Sequence, residues 1–170
     1  MIAKGNWQGY YQFDNKRHES MRGHKHTYFG IAIVNIADNR FSGTVQDDLA
    51  SGGTEGIGEI TGTVDGDEVE FIKQMPVMTV LRADGTRQTF NKKHRKIYYA
   101  GKLSADGMSI SGQWRFKFGF LWIGIIPIPM PPTSGTWTMT FKRISIFAHR
   151  KPINPTRHAY RHQPETTYAQ

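Results

Sequence analysis

The chain has 170 residues, enough for one domain with a buried core and little for a second. It is 38% hydrophobic and 12% aromatic, a globular rather than a disordered composition, and it has no cysteine, which excludes a disulfide framework, thiolate zinc sites and cysteine catalysis and fits a reducing, cytoplasmic setting. The formal net charge of +8 is uneven: residues 38–70 hold nine acidic side chains and one basic one, so everything else sums to +16.

In chain order, the N-terminus enters a strand pattern at once. No basic stretch followed by an apolar run precedes it, so no secretory signal is expected. Period-two alternation then recurs, and helical periodicity is hard to find before residue 144. Strands are predicted near 6–13, 27–36, 40–46, 57–64, 68–75, 96–103, 108–116 and 134–143, and a shorter hairpin near 77–82 and 86–90 would make ten. One apolar and one polar face per strand is the mark of antiparallel sheet. Asp38-Asn39, Asp65-Gly66, Asp84-Gly85 and Asp106-Gly107 supply turn residues that tolerate positive φ. The expected fold is therefore all-β, a closed antiparallel up-and-down meander barrel of 8–10 strands, with a sandwich as the competing architecture. Glycines favour closure: Gly9, Gly30, Gly43, Gly58, Gly62, Gly101 and Gly112 all fall on the face read as apolar, where tight coiling of a small sheet needs them. Residues 1–146 are assigned to the barrel and 147–170 to a basic, disordered tail.

One segment departs from the alternation. Residues 118–132 carry nine large apolar side chains and four prolines, too short a run and too often broken for a membrane span. Between the last two strands it should be a loop, yet open to water it would be a large liability. The expectation is an extended arm that passes to another molecule as an interface, or serves as a lid, with Phe120, Leu121, Trp122 and Ile126 as its contact residues. A long hairpin folded back on the barrel wall and contact with a bilayer surface are the alternatives.

The first strand opens Gly5-Asn6-Trp7, a G-x-W, and the last ends Lys142-Arg143. With the strand pattern between them, this resembles the calycin superfamily of lipocalins, fatty-acid-binding proteins and avidins. The resemblance implies that Trp7 sits at the closed end of the barrel with Arg143 crossing its ring. It also implies a ligand cavity inside. The candidate interior residues are Tyr11, Phe13, Tyr28, Phe71, Lys73, Tyr99, Trp114 and Phe116, set against the alternative of a filled core. Lys73 falls on the apolar face, and either contacts a ligand carboxylate or reaches out to water from a strand end.

The remaining features have plain readings. His18, His24 and His26 lie in a polar, basic stretch read as a solvated loop rather than a metal site. Asp47-Asp48 and Asp65-Gly66-Asp67 are explained by turn chemistry. No nucleophile elbow, phosphate loop, zinc-protease motif or dinucleotide fingerprint occurs, so neither catalysis nor a cofactor is expected. The basic charge permits nucleic-acid or anionic-lipid contact, but no RNP-type aromatic signature accompanies it, which argues against nucleic acid. The function expected is a non-enzymatic barrel binding a small apolar ligand; the alternative is an interaction or self-associating module with a filled core.

Overall fold

The computed structural model describes residues 1–81 and 86–143; the tail assigned to 147–170, residues 144–146 and the turn expected at Asp84-Gly85 lie outside them. Eight strands form a closed antiparallel barrel: β1 (Gly5–Phe13), β2 (Thr27–Ala37), β3 (Arg40–Asp47), β4 (Ile57–Asp65), β5 (Glu68–Gln74), β8 (Ile97–Leu103), β9 (Ser109–Phe116) and β12 (Thr133–Phe141), each paired to its neighbour and β12 back to β1. Two short hairpins stand apart, β6 (Met78–Leu81) with β7 (Arg87–Phe90), and β10 (Gly119–Ile123) with β11 (Ile126–Met130). The first of these was expected to raise the barrel to ten strands; instead it forms its own sheet, because β5 pairs directly with β8.

The two ends differ. Tight turns occupy one of them, including Asp38 and Asn39, both at positive φ as a two-residue hairpin turn requires. The N-terminal segment plugs this end, with Ile2 buried and the Trp7 indole N–H donating to the Ala3 carbonyl at 3.0 Å. Every longer connection lies at the other end: a helix, the loop 48–56 and both hairpins. The helix, α1 (Lys16–Arg22), falls in the stretch read as a solvated loop. Asn15 accepts from the Arg17 amide at its start, and Gly23 closes it in a left-handed conformation.

Inside, aromatic rings lie on glycines. Trp137 pairs with Gly112, which pairs with Gly101, and the bare strip lets the indole N–H reach the carbonyls of Ala100 and Gln113, both at 3.2 Å. A Cβ on Gly112 would come within 2.0 Å of the Ala100 oxygen, and one on Gly101 within 2.8 Å of the Trp137 ring. Gly135 likewise leaves room for Trp114. Phe71 and Tyr99 stack at 4.5 Å, and Trp137 meets both edge-on. This fills the closed half of the barrel.

Three expectations need correction. Gly30 and Tyr28 face outward: β2 buries Thr27, Phe29, Ile31 and Ile33 instead, and Gly30 pairs with the exposed Gln8. An aromatic ring and a glycine mark a core face by composition, yet here the face is set by Thr27, Phe29, Ile31 and Ile33. Arg143 does not cross Trp7, since β12 ends at Phe141 and Arg143 is exposed. The neighbour of Trp7 on the last strand is Phe141, edge-on at 5.3 Å. Trp7→Ala should therefore destabilise the protein by about 3–5 kcal/mol in urea unfolding, whereas Arg143→Ala should change stability by less than about 0.5 kcal/mol. Gly112→Ala should cost about 1–3 kcal/mol or more by overpacking, despite adding a single methyl group.

Candidate functional site

The open end is where polar chemistry gathers. Asp47 ends β3 facing inward, Lys73 faces inward from β5, and both are almost fully buried. Their side chains form an ion pair across β4, which lies between their strands. The second Asp47 oxygen accepts from the Thr54 amide at 3.3 Å, while the Lys73 ammonium lies 5.3 Å from the Tyr11 ring centre and 5.8 Å from that of Phe29. Lysine can sit here only because a carboxylate and two ring faces replace its water. Lys73 is thus not a strand-end lysine reaching out to water, and Asp47 lies in β3 rather than in a turn; its neighbour Asp48 is the turn residue, accepting from the Ala50 and Ser51 amides.

Above the pair lies a cavity of about 230 Å³. Tyr11, Phe13, Tyr99, Trp114 and Phe116 contribute its aromatic wall, as expected from the sequence. Phe71 is not among the lining residues because it belongs to the filled half, and Tyr28 is outside the barrel. The structure adds Arg22, Arg87, His18, His24, His94 and Asp47 to the wall. The interior is thus neither empty nor full: packed below, open for a short depth at one end.

Arg22, the last residue of α1, reaches over this mouth. Its guanidinium carbon stands 4.7 Å from the Phe13 ring centre and 5.8 Å from that of Tyr11. Nη2 donates to Thr27 Oγ1 and, at 2.8 Å, to the Gly52 carbonyl. Nη1 is buried and has no hydrogen-bond partner among the described residues. Arg87, from β7, donates to the carbonyls of Gly52 at 3.1 Å and Gly53 at 2.6 Å. Two arginines thereby hold the loop 48–56 across the opening, and Ser51 secures it further by accepting from Thr27 Oγ1 through its carbonyl at 3.0 Å.

Protonation follows from burial. Desolvation, and then the Asp47 charge, push the Tyr11 phenol far above its ordinary value; burial does the same to Tyr99. Both remain protonated donors. Burial lowers the His94 imidazole from 6.5, with the nearby Lys73 and Arg95 charges acting the same way. In its neutral form Nδ1–H donates to the Arg95 carbonyl at 2.9 Å, leaving Nε2 as an acceptor. Among the described residues no group of histidine and carboxylate side chains is arranged to hold a metal ion. His26 instead contacts Gln12 at 3.1 Å and stacks on Tyr10.

Compared with protein-family models, curated proteins and solved structures, the chain gave no match, so the reading of this site rests on its geometry.

Two outcomes are expected. Lys73→Met or Asp47→Asn alone should cost about 3–5 kcal/mol in chemical denaturation by leaving a buried partner unpaired, and the double variant Lys73→Met/Asp47→Leu should recover most of that loss. For His94, whose folded-state value is depressed, the unfolded chain binds the extra proton between the two values. Its stabilising contribution is thus complete above about pH 6.5 and lost as pH falls below it. His94→Gln should flatten the dependence of stability on pH below that point, as read from melting curves across a pH series.

Proposed function

We propose that this chain is a non-enzymatic, calycin-like barrel that binds a small molecule at its open end, and that the ligand is a compact anion with a flat apolar body. The observation carrying this reading is Arg22 Nη1: a charged donor, buried beside the aromatic wall, with no hydrogen-bond partner among the described residues. Leaving such a group unmatched is costly, and a ligand carboxylate would satisfy it. The surroundings agree. Tyr11 and Tyr99 are protonated donors, and the carboxylate in the wall, Asp47, is already engaged by Lys73. An acceptor-rich ligand therefore fits where a cation would find little to bind.

Size narrows the class. The 230 Å³ volume lies below the usual range of drug-sized pockets, so the ring-lined space suits a single aromatic or short branched acid rather than a long acyl chain. The Phe13 and Trp114 rings, 4.8 Å apart and nearly perpendicular, offer a face and an edge to such a body.

Benzoate and its neutral counterpart benzamide test the proposal by calorimetric titration. Benzoate should bind at one site per chain, at least about tenfold more tightly than benzamide, the advantage expected of a charge-assisted hydrogen bond. Arg22→Met, with folding verified by circular dichroism, should abolish the preference. Equal binding of the two, or binding of neither at millimolar concentration, would refute an anion site.

A further inference from the structure

We propose that the β10–β11 hairpin docks the barrel, open end first, onto an anionic lipid surface. Residues 118–132 are not the extended arm expected from their prolines; residues 119–130 form a two-stranded sheet of their own, turning at Gly124-Ile125. Nor is the hairpin folded away. Leu121 is buried, but Phe118, Phe120, Trp122 and Ile126 are each more than half exposed, and Ile125 at the tip is 92% exposed. Phe120 and Trp122 alternate along β10 and so share one face, and the Phe118 ring just before the strand meets Phe120 edge-on at 5.2 Å. The feature is a convex apolar prong rather than a groove.

Its edge chemistry favours lipid over another protein strand. A two-residue turn makes Ile123–Ile126 the hydrogen-bonded pair, so the amide positions of residues 127 and 129 point away from β10. Both are proline. The outer edge of β11 therefore presents no N–H at either position to pair with an added strand, and fewer donors to desolvate on entering a headgroup region.

Charge selects the kind of surface. Lys92 and Lys93 are exposed in the loop before β8, and Lys92 Nζ donates to the Trp122 carbonyl at 3.4 Å. Arg95 donates to the carbonyls of Lys117 and Met130 at the base of the hairpin, both at 3.3 Å, and the exposed Lys117 ammonium covers the Tyr98 ring. Cations thus collar the apolar prong, and the one carboxylate between residues 86 and 134, Asp106, is in a turn at the closed end. In the barrel order the hairpin emerges between β9 and β12, whereas the acidic strands β3 to β5 form the opposite wall. One carboxylate does lie near the base, Asp14, which accepts from the Ser134 hydroxyl at 2.6 Å, but the cations outnumber it there. Apolar residues at the tip, a predominantly cationic collar and the acidic strands on the far side fit a negatively charged bilayer. A second copy of the chain would have to accept the same collar against its own.

Trp122 reports the contact directly, since the other three tryptophans are at most 2% exposed. The full chain should co-sediment at low ionic strength with phosphatidylglycerol–phosphatidylcholine vesicles and not with phosphatidylcholine alone. Brominated phosphatidylglycerol should quench its fluorescence, and Trp122→Phe should remove most of the quenching. Phe120→Ser/Trp122→Ser/Ile125→Ser should lower partitioning about tenfold or more, consistent with loss of buried apolar area. Absence of vesicle binding, binding undiminished in the triple variant, or binding without quenching would each overturn lipid docking. So would a wild-type dimer that the triple variant converts to folded monomers while vesicle binding is lacking. Benzoate titration of the same triple variant separates this surface from the cavity, because the two make independent use of the barrel.

Discussion

The structure depends on a fit between indole and glycine. Eight strands enclose an interior that cannot hold one large side chain at every inward position. Closure with this many aromatic residues needs bare backbone opposite the rings. Gly101 and Gly112 form that strip beneath Trp137, and Gly135 does so beneath Trp114. The exchange also settles the polar ends of the rings. With no Cβ between, the Trp137 N–H reaches two carbonyls of the strand pair below it, and the Trp114 N–H reaches Gln12 of β1 at 3.0 Å. A core aromatic with a polar handle is thereby buried without an orphaned donor.

That packing confines polar chemistry to one end. Below the level of Tyr99 the interior is packed with apolar side chains; above it, the strands lead into a helix, a loop and two hairpins that supply charge. The Lys73–Asp47 pair marks the boundary. It is a poor source of net stability, because desolvating two ions offsets most of their attraction. Its consequence is positional: it fixes the floor of the cavity, neutralises the one carboxylate of the wall and places a cation against the Tyr11 and Phe29 rings. The arginines above it hold the loop 48–56 by its carbonyl groups, so the same side chains that shape the mouth supply its positive charge.

Much of this was legible along the chain, because strand parity is local. Alternation of apolar and polar residues located all eight barrel strands, and Asp-Asn and Asp-Gly pairs located their turns at the closed end. The aromatic wall at Tyr11, Phe13, Tyr99, Trp114 and Phe116 followed from the same parity. Parity failed at Tyr28 and Gly30, where Thr27 is the buried residue; threonine is accommodated because its hydroxyl donates to the Ser51 carbonyl. Asp47 and Lys73 share the inward face on strands with one strand between them, and it is closure of the sheet that brings them into a buried pair.

The sequence by itself determined the periodicity, the turns and which residues point inward, since these depend on neighbours two to four positions apart. Tertiary structure alone decided what the inward residues meet. Whether an interior is filled depends on how rings from β5, β8, β9 and β12 interlock across more than sixty residues of chain, which no local pattern encodes. Arg22 lines the cavity only because a seven-residue helix, capped by Asn15 and Gly23, places its guanidinium over a mouth made by other strands. The same holds for the apolar hairpin: its composition was plain, but its exposure, its prolines on the outer edge and the cations at its base are properties of the assembled barrel.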